Sequence, residues 1–237
     1  MEIKYKKQLL GLILALVMYF PIHMKTAYDS YVSMFFVLLL ALPVFYGVFK
    51  FGDLKLKLTL IILSLFALFI ETVGILTGFP YSSFYYLDSL GIKIFSTTPI
   101  VLLLTFSPLV FGAIYYATKI SNKKSLIFIY SVLFLVILDL ILDPVAVALN
   151  YWVWVNDGIY YSVPFQNYLG WIFSSSIVVA IYYYFNKFKV VKYQQLSFYY
   201  SLWIWTGASF YLMLHIPFIV GVLMLIYIER LEFKENQ

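Results

Sequence analysis

One feature governs this chain: apolar runs recur from end to end, separated by short loops that hold almost all of the charge. They can be marked at residues 8–22, 31–49, 58–77, 97–118, 126–148, 165–186, 195–213 and 216–229. Most approach the roughly 20 residues that a helix needs to cross a bilayer. Of the 237 residues, 64% are hydrophobic and only 11% are charged, against about 25% charged in an ordinary soluble domain. So few charges cannot cover a water-facing surface, which excludes a soluble globular fold, a disordered chain and a coiled coil. The expectation is an all-α, polytopic transmembrane helical bundle, a single integral membrane domain over residues 1–237. About eight spans are expected, with seven as the alternative. Pro217 is the expected break between the last two, and Gly207 a weaker one.

Charge placement orients the bundle. Lys4, Lys6 and Lys7, then Lys50, Lys55 and Lys57, then Lys119, Lys123 and Lys124, then Lys187, Lys189 and Lys192 fall on one side. The opposite loops, 23–30, 78–96 and 149–164, carry only Lys25 and Lys93. Basic loops stay in the cytoplasm, so the N-terminus is expected there. The tail with Arg230 and Lys234 is also basic, which favours an even number of spans. The net charge of +5 is thus a topology signal, with no nucleic-acid partner implied. The absence of cysteine excludes thiol catalysis, disulfides and iron–sulfur ligation. No small-residue cleavage pattern follows the first run, which reads as a retained helix.

The two long outer loops are unusual. One reads GFPYSSFYYLDSLGIKIF from Gly78, the other NYWVWVNDGIYYSVP from Asn150. Tyrosine and tryptophan settle at headgroup depth, so an interfacial belt accounts for both. The sharper reading is a lid over a site. Asn156-Asp157-Gly158 is a turn signal between two aromatic runs and predicts a short hairpin there.

Ionisable residues inside a span are costly and mark functional positions. Glu71 lies in the third run, and Asp139 and Asp143 in the fifth. Four residues apart, the two aspartates share a helix face, about 6 Å from each other. Pro144 follows, which deprives the Leu140 carbonyl of its helical partner. At about 1.5 Å per residue, Glu71 and Asp143 both lie roughly 9 Å below the outer interface, with Asp139 one turn deeper. Asn167 enters the sixth run from the same side, between Gln166 and the Gly170-Trp171 pair. Three carboxyls and two amides therefore meet at one depth under the aromatic loops. The plainer reading is polar glue between helices. A proton pathway is a further option, but the inner halves of these helices are nearly bare of polar groups. His23 and His215 lie near outer ends without metal-site spacing, and no metal is expected.

No phosphate loop or dinucleotide fingerprint occurs. A retinal protein needs a lysine in its last spans, and none lies between Lys192 and Lys234. A membrane prenyltransferase needs a second Asp-rich motif and nearby cations, and only the DLILD run is present. A carboxyl in a low-dielectric medium resists ionisation and can act as an acid. Among aromatic faces it can protonate an electron-rich alkene, because ring quadrupoles stabilise the resulting cation. A second carboxylate then orients water or removes a proton to close a ring. Such a site suits a lipid-soluble polyene that enters sideways from the bilayer.

The stretch from Glu71 to Trp171 resembles the membrane carotenoid-biosynthesis proteins that include carotenoid 1,2-hydratases and bisanhydrobacterioruberin hydratases. ETVGILTGFPYSSFYYLDSLG at 71–91, DLILDPVAVALNYWVW at 139–154 and IYYSVPFQNYLGW at 159–171 carry the likeness. It implies a hydro-lyase without cofactors that adds water to the terminal double bond of an acyclic C50 or C40 carotenoid. Membrane lipids and other enzymes of the same pathway are the partners it implies. Asp139, Asp143, Glu71 and Asn167 are the expected acid–base centre, with Asp139, deepest and driest, favoured as proton donor and Asp143 handling water. Trp152, Trp154, Tyr160, Tyr161, Trp171, Tyr81, Tyr85 and Tyr86 are the expected substrate-lining residues. The family pattern implies glycines near Ser82, Ser96 and Ser162, and a tryptophan near Phe106. Two other readings stay open: a lycopene cyclase-type enzyme using the same acid, and a non-catalytic carotenoid-binding membrane protein.

Overall fold

The computed structural model describes residues 2–26 and 29–235. Helices fall on all eight apolar runs. They are α1 (Glu2–Val17) with a short α2 (Tyr19–His23), α3 (Ser30–Phe51), α4 (Leu54–Thr77), α5 (Phe106–Ile120), α6 (Lys124–Ala148), α7 (Phe165–Asn186), α8 (Leu196–Tyr211) and α9 (His215–Glu235). A 3-10 turn over Ile100–Leu104 leads into α5. Among the described residues, five helical segments are long and apolar enough to cross a membrane: Tyr31–Phe51, Leu54–Thr77, Ile100–Ile120, Lys124–Ala148 and Phe165–Asn186. Helices α1 and α8 have 16 residues each, about 24 Å at the helical rise. Helix α9 carries Glu229, Arg230 and Glu232 towards its end.

Local chemistry sets the boundaries. The Asp29 and Asp53 carboxylates accept from the amides of Tyr31 at 2.8 Å and Leu56 at 3.0 Å, which starts α3 and α4. Helix α4 stops at Gly78, whose φ of +74° closes the last turn in the left-handed region that glycine occupies freely. The break between α8 and α9 departs from expectation. It falls at Leu212–Leu214, with Met213 at φ +59°, and not at Pro217. That proline lies in the first turn of α9, where an amide has no helical acceptor to lose. Gly207 remains inside α8, where it lies against the Ala15 backbone of α1.

The two long aromatic loops form one structure. Strand β1 (Phe84–Tyr86) of the first pairs antiparallel with β4 (Trp152–Trp154) of the second, in the register Phe84↔Trp154, Tyr85↔Val153, Tyr86↔Trp152. Between them, β2 (Lys93–Ile94) and β3 (Thr98–Pro99) make a tight ribbon. The hairpin expected about Asn156-Asp157-Gly158 does not form across residues 152–154, because those residues use their ladder bonds on β1. The chain instead folds back later, through bridges Gly158↔Ser162 and Tyr160↔Val163. Lys93 closes the first loop by donating to the Tyr86 carbonyl at 2.9 Å and to Asp88 at 2.8 Å. The hydrogen bond from Lys93, and then its charge, draw the Asp88 carboxyl below its ordinary range.

The interior divides along the bundle. One apolar cluster fills the part towards the basic loops, around Phe111, Tyr116, Tyr182 and Phe198. The other lies under the strand pair, around Ile70, Tyr81, Phe84, Val145 and Trp154. The polar groups of interest sit in the second.

Candidate active site

Three helices deliver the polar centre. On α6, Asp139 and Asp143 are buried, as the shared helix face requires, and Asn167 on the first turn of α7 is buried against both. Its Nδ2 donates to Asp139 Oδ2 at 3.0 Å and, over a short contact, to Asp143 Oδ2. Pro164 places Asn167 there: it precedes α7, and its carbonyl accepts the Asn167 amide at 3.0 Å. On α4, Glu71 is half-buried, and its Oε2 accepts from the Tyr86 hydroxyl at 2.9 Å. Burial and the facing Glu71 carboxyl hold the Tyr86 phenol well above its ordinary range. It therefore acts as a donor to Glu71.

The Leu140 carbonyl freed by Pro144 is filled from the second loop. Tyr160 donates to it at 3.0 Å. Burial, then Tyr161 and Asp139, push the Tyr160 phenol up to about 12. Gln166 takes a different part from Asn167. Its Nε2 donates to the Gly78 and Pro80 carbonyls at 3.3 and 3.4 Å, tying the first loop to α7 rather than joining the carboxyls. Gly170 lets that loop approach: a Cβ there would lie 2.6 Å from Tyr81 Cδ1 and 2.9 Å from the Pro80 carbonyl.

A cavity of about 130 Å³ lies between the strand pair and the helices. It is close in size to the ~150 Å³ that admits a benzene ring in an apolar core. Its wall includes Glu71, Asp143 and Asn167, and the rings of Tyr81, Tyr86, Trp152, Trp154 and Trp171. Three expected lining residues are absent from that wall. Tyr85 lies on the outer face of β1 and is exposed, as strand alternation demands. Tyr160 is engaged with Leu140, and the Tyr161 hydroxyl accepts from the Ile216 amide at 3.2 Å. Asp139 does not line the cavity either and lies behind Asn167. The sequence reading missed Phe84, Phe106, Tyr151 and Trp205, which do line it. Phe84 and Tyr151 belong to the loops already singled out. Trp205 was hidden in an apolar run with no charged neighbour to mark it.

The rings interlock around this space. Phe106 meets Trp171 edge-on at 5.2 Å, Phe84 meets Trp154 at 5.0 Å, and Tyr86 meets Trp152 at 5.6 Å. The Trp154 indole N–H is buried without a hydrogen-bond partner among the described residues. Ser82, Ser96 and Ser162, where the resemblance implies glycines, have φ of +98°, +58° and +65°. Each occupies backbone space that glycine adopts without penalty. Among the described residues, no three His, Cys, Asp or Glu side chains converge as a metal site. Chemically, the site offers two carboxyls to an aromatic cavity the size of one branched end group, with a third carboxyl behind.

Over residues 28–228 the sequence matches the family model described as carotenoid biosynthesis protein. It is 34% identical over 160 residues to the bisanhydrobacterioruberin hydratase of Haloarcula japonica, covering 66% of this chain and 54% of that protein. The chain thus spans about half the length of the curated relative it matches. No solved structure matches it.

Proposed function

The chain belongs to the carotenoid biosynthesis protein family, and from that membership we propose that it is a carotenoid hydratase. Its substrate is an acyclic carotenoid, C50 or C40, and its product the tertiary alcohol at the hydrated end. One observation carries the reading: Glu71 and Asp143 line the same small aromatic cavity. The name of the Haloarcula japonica relative is in accord with it.

The chemistry assigns the two carboxyls different tasks. Asp139 and Asp143 accept from one amide, and two carboxyls so placed do not both ionise easily, so the pair holds a proton. Asp143 faces the cavity and donates that proton to the CH carbon of the terminal double bond. The positive charge forms on the neighbouring carbon, which bears two methyl groups. The faces of Phe84, Phe106, Trp154 and Trp171 stabilise it. Water attacks that carbon, and Glu71, held in place by the Tyr86 hydroxyl, takes the proton that water releases. Alkene and water give alcohol with no change of oxidation state, so the reaction calls for no electron carrier. This assignment moves the donor from Asp139 to Asp143, because only Asp143 reaches the cavity.

As a multi-pass membrane protein, the chain would cross eight times with its N-terminus in the cytoplasm, and the paired aromatic loops would then lie outside. The test is product mass. Expressed in cells that make an acyclic carotenoid, the protein should yield a product heavier by one water. A new ring at unchanged mass makes it a cyclase. No new product, with substrate present, leaves carotenoid binding.

A further inference from the structure

The reaction just proposed uses the cavity side of the Asn167 bridge and leaves the other side unexplained. There, Asp139 Oδ1 and the Tyr168 hydroxyl are buried with no hydrogen-bond partner among the described residues. Both side chains are more than nine-tenths buried, at 1% and 8% exposure, and neither lines the cavity. They share a neighbourhood. Tyr168 follows Asn167, whose amide is bonded to Asp139, and its ring meets that of Tyr160, whose hydroxyl is bonded to the carbonyl of Leu140, the residue after Asp139. Asp139 and Asp143 are linked through the Asn167 amide, which donates to both.

Two orphaned polar atoms in one buried neighbourhood are rarely left unanswered. One water answers both, accepting from the tyrosine and donating to the carboxyl oxygen. The same neighbourhood continues into the second aromatic loop. The Tyr168 ring meets Tyr160 at 6.0 Å, and Tyr160 meets Tyr161 at 5.0 Å. Tyr160 and Tyr161 are half-buried in a loop whose Ile159 is fully exposed. Tyr160 and Tyr161, absent from the cavity wall, thus stand between the turn that bears Asp139 and the exposed part of the loop.

We propose that Asp139 and Tyr168 form a water site, separate from the carotenoid cavity, through which Asp143 recovers its proton from the outer face after each turnover. The inference rests on the hydratase reading. In each cycle Asp143 gives one proton to the alkene carbon, and Glu71 gains one from the attacking water. Asp139 and its water return a proton to Asp143, and Glu71 releases the equivalent, so a turnover consumes one water and no net proton. Tyr168 is a positioning residue in this scheme, since it acts through the water and Asp139.

The test is a single turnover of protein equilibrated in ordinary water and then diluted into D2O. Wild-type protein should place deuterium on the hydrated end, because the acid exchanges before it reacts. Tyr168→Phe should retain protium in the first turnover and show kcat about tenfold lower with KM unchanged. Equal deuterium content and equal kcat in the two proteins would overturn the proposal. Infrared spectroscopy reads the site without turnover. A protonated carboxyl band should shift in D2O in wild-type protein, shift at least tenfold more slowly in Tyr168→Phe, and vanish in Asp143→Asn. If Tyr168→Phe does not fold, a wild-type band that is absent or fails to shift overturns the water site. Lack of any alcohol from wild-type protein, with the band shifting normally, instead removes the hydratase reading and leaves the water site standing.

Discussion

The Tyr160 hydroxyl donates to the Leu140 carbonyl at 3.0 Å and so replaces the amide that Pro144 lacks. A loop side chain thereby completes a helix at the turn that bears both aspartates.

Removing that hydroxyl by Tyr160→Phe leaves a carbonyl without a partner. Stability should fall by about 1–3 kcal/mol, the usual penalty for an unmatched buried polar group. With Pro144→Ala already present, the new amide satisfies Leu140, and the same change should then cost less than about 1 kcal/mol. A double-mutant cycle on thermal unfolding in detergent checks this. Strict additivity would contradict it.

Replacing Ser82, Ser96 or Ser162 by glycine should stabilise the fold. A side chain in the left-handed region costs roughly 1–2 kcal/mol, and glycine's freedom in the unfolded chain returns about 0.4–1 kcal/mol of that. The net gain expected is about 0.5–1 kcal/mol each, largest at Ser82, whose φ of +98° lies furthest from the αL region. Melting curves of the three single variants decide it.

Asp143→Asn and Glu71→Gln should each lower alcohol formation by about 10²–10⁴-fold, the usual share of a general acid or base. Melting temperature should change little, since both replacements keep shape and hydrogen-bonding atoms. If the carboxyls were only glue between helices, yield or melting temperature would drop and specific activity would survive. Activity per folded molecule, measured beside the melting curve, separates these outcomes.

Topology is directly accessible because the chain has no cysteine. Asn156→Cys should react with an impermeant thiol reagent added to intact cells. Asn122→Cys, Lys187→Cys and Glu235→Cys should react only after lysis. Labelling of Glu235→Cys from outside would mean seven crossings.

Much of the site is legible in the sequence because its constraints are local. The i, i+4 spacing puts Asp139 and Asp143 on one face, Pro144 frees the Leu140 carbonyl, and Glu71 lies in another helix that opens onto the same loops. What escapes is pairing between distant segments. Nothing within residues 150–164 says that Trp152–Trp154 will bond to Phe84–Tyr86, so the turn at Asn156 suggests a local partner. Once that strand pair is known, Tyr85 must face outward, because its neighbours Phe84 and Tyr86 face in. The α8–α9 break was misplaced because proline is more conspicuous than Met213, although a first-turn proline is compatible with helix. Phe106 and Trp205 reach the cavity through helix packing, for which an apolar run offers no marker.

The size of the cavity carries a kinetic consequence. A space of about 130 Å³ accepts one end of a long rod and cannot hold both. Under the proposed hydratase reading, a symmetric carotenoid must therefore leave, turn end for end in the bilayer and bind again before its second end reacts. The reaction is then distributive. Early in a time course the singly hydroxylated compound should exceed the doubly hydroxylated one, and dilution of the protein in lipid should slow the second step as much as the first.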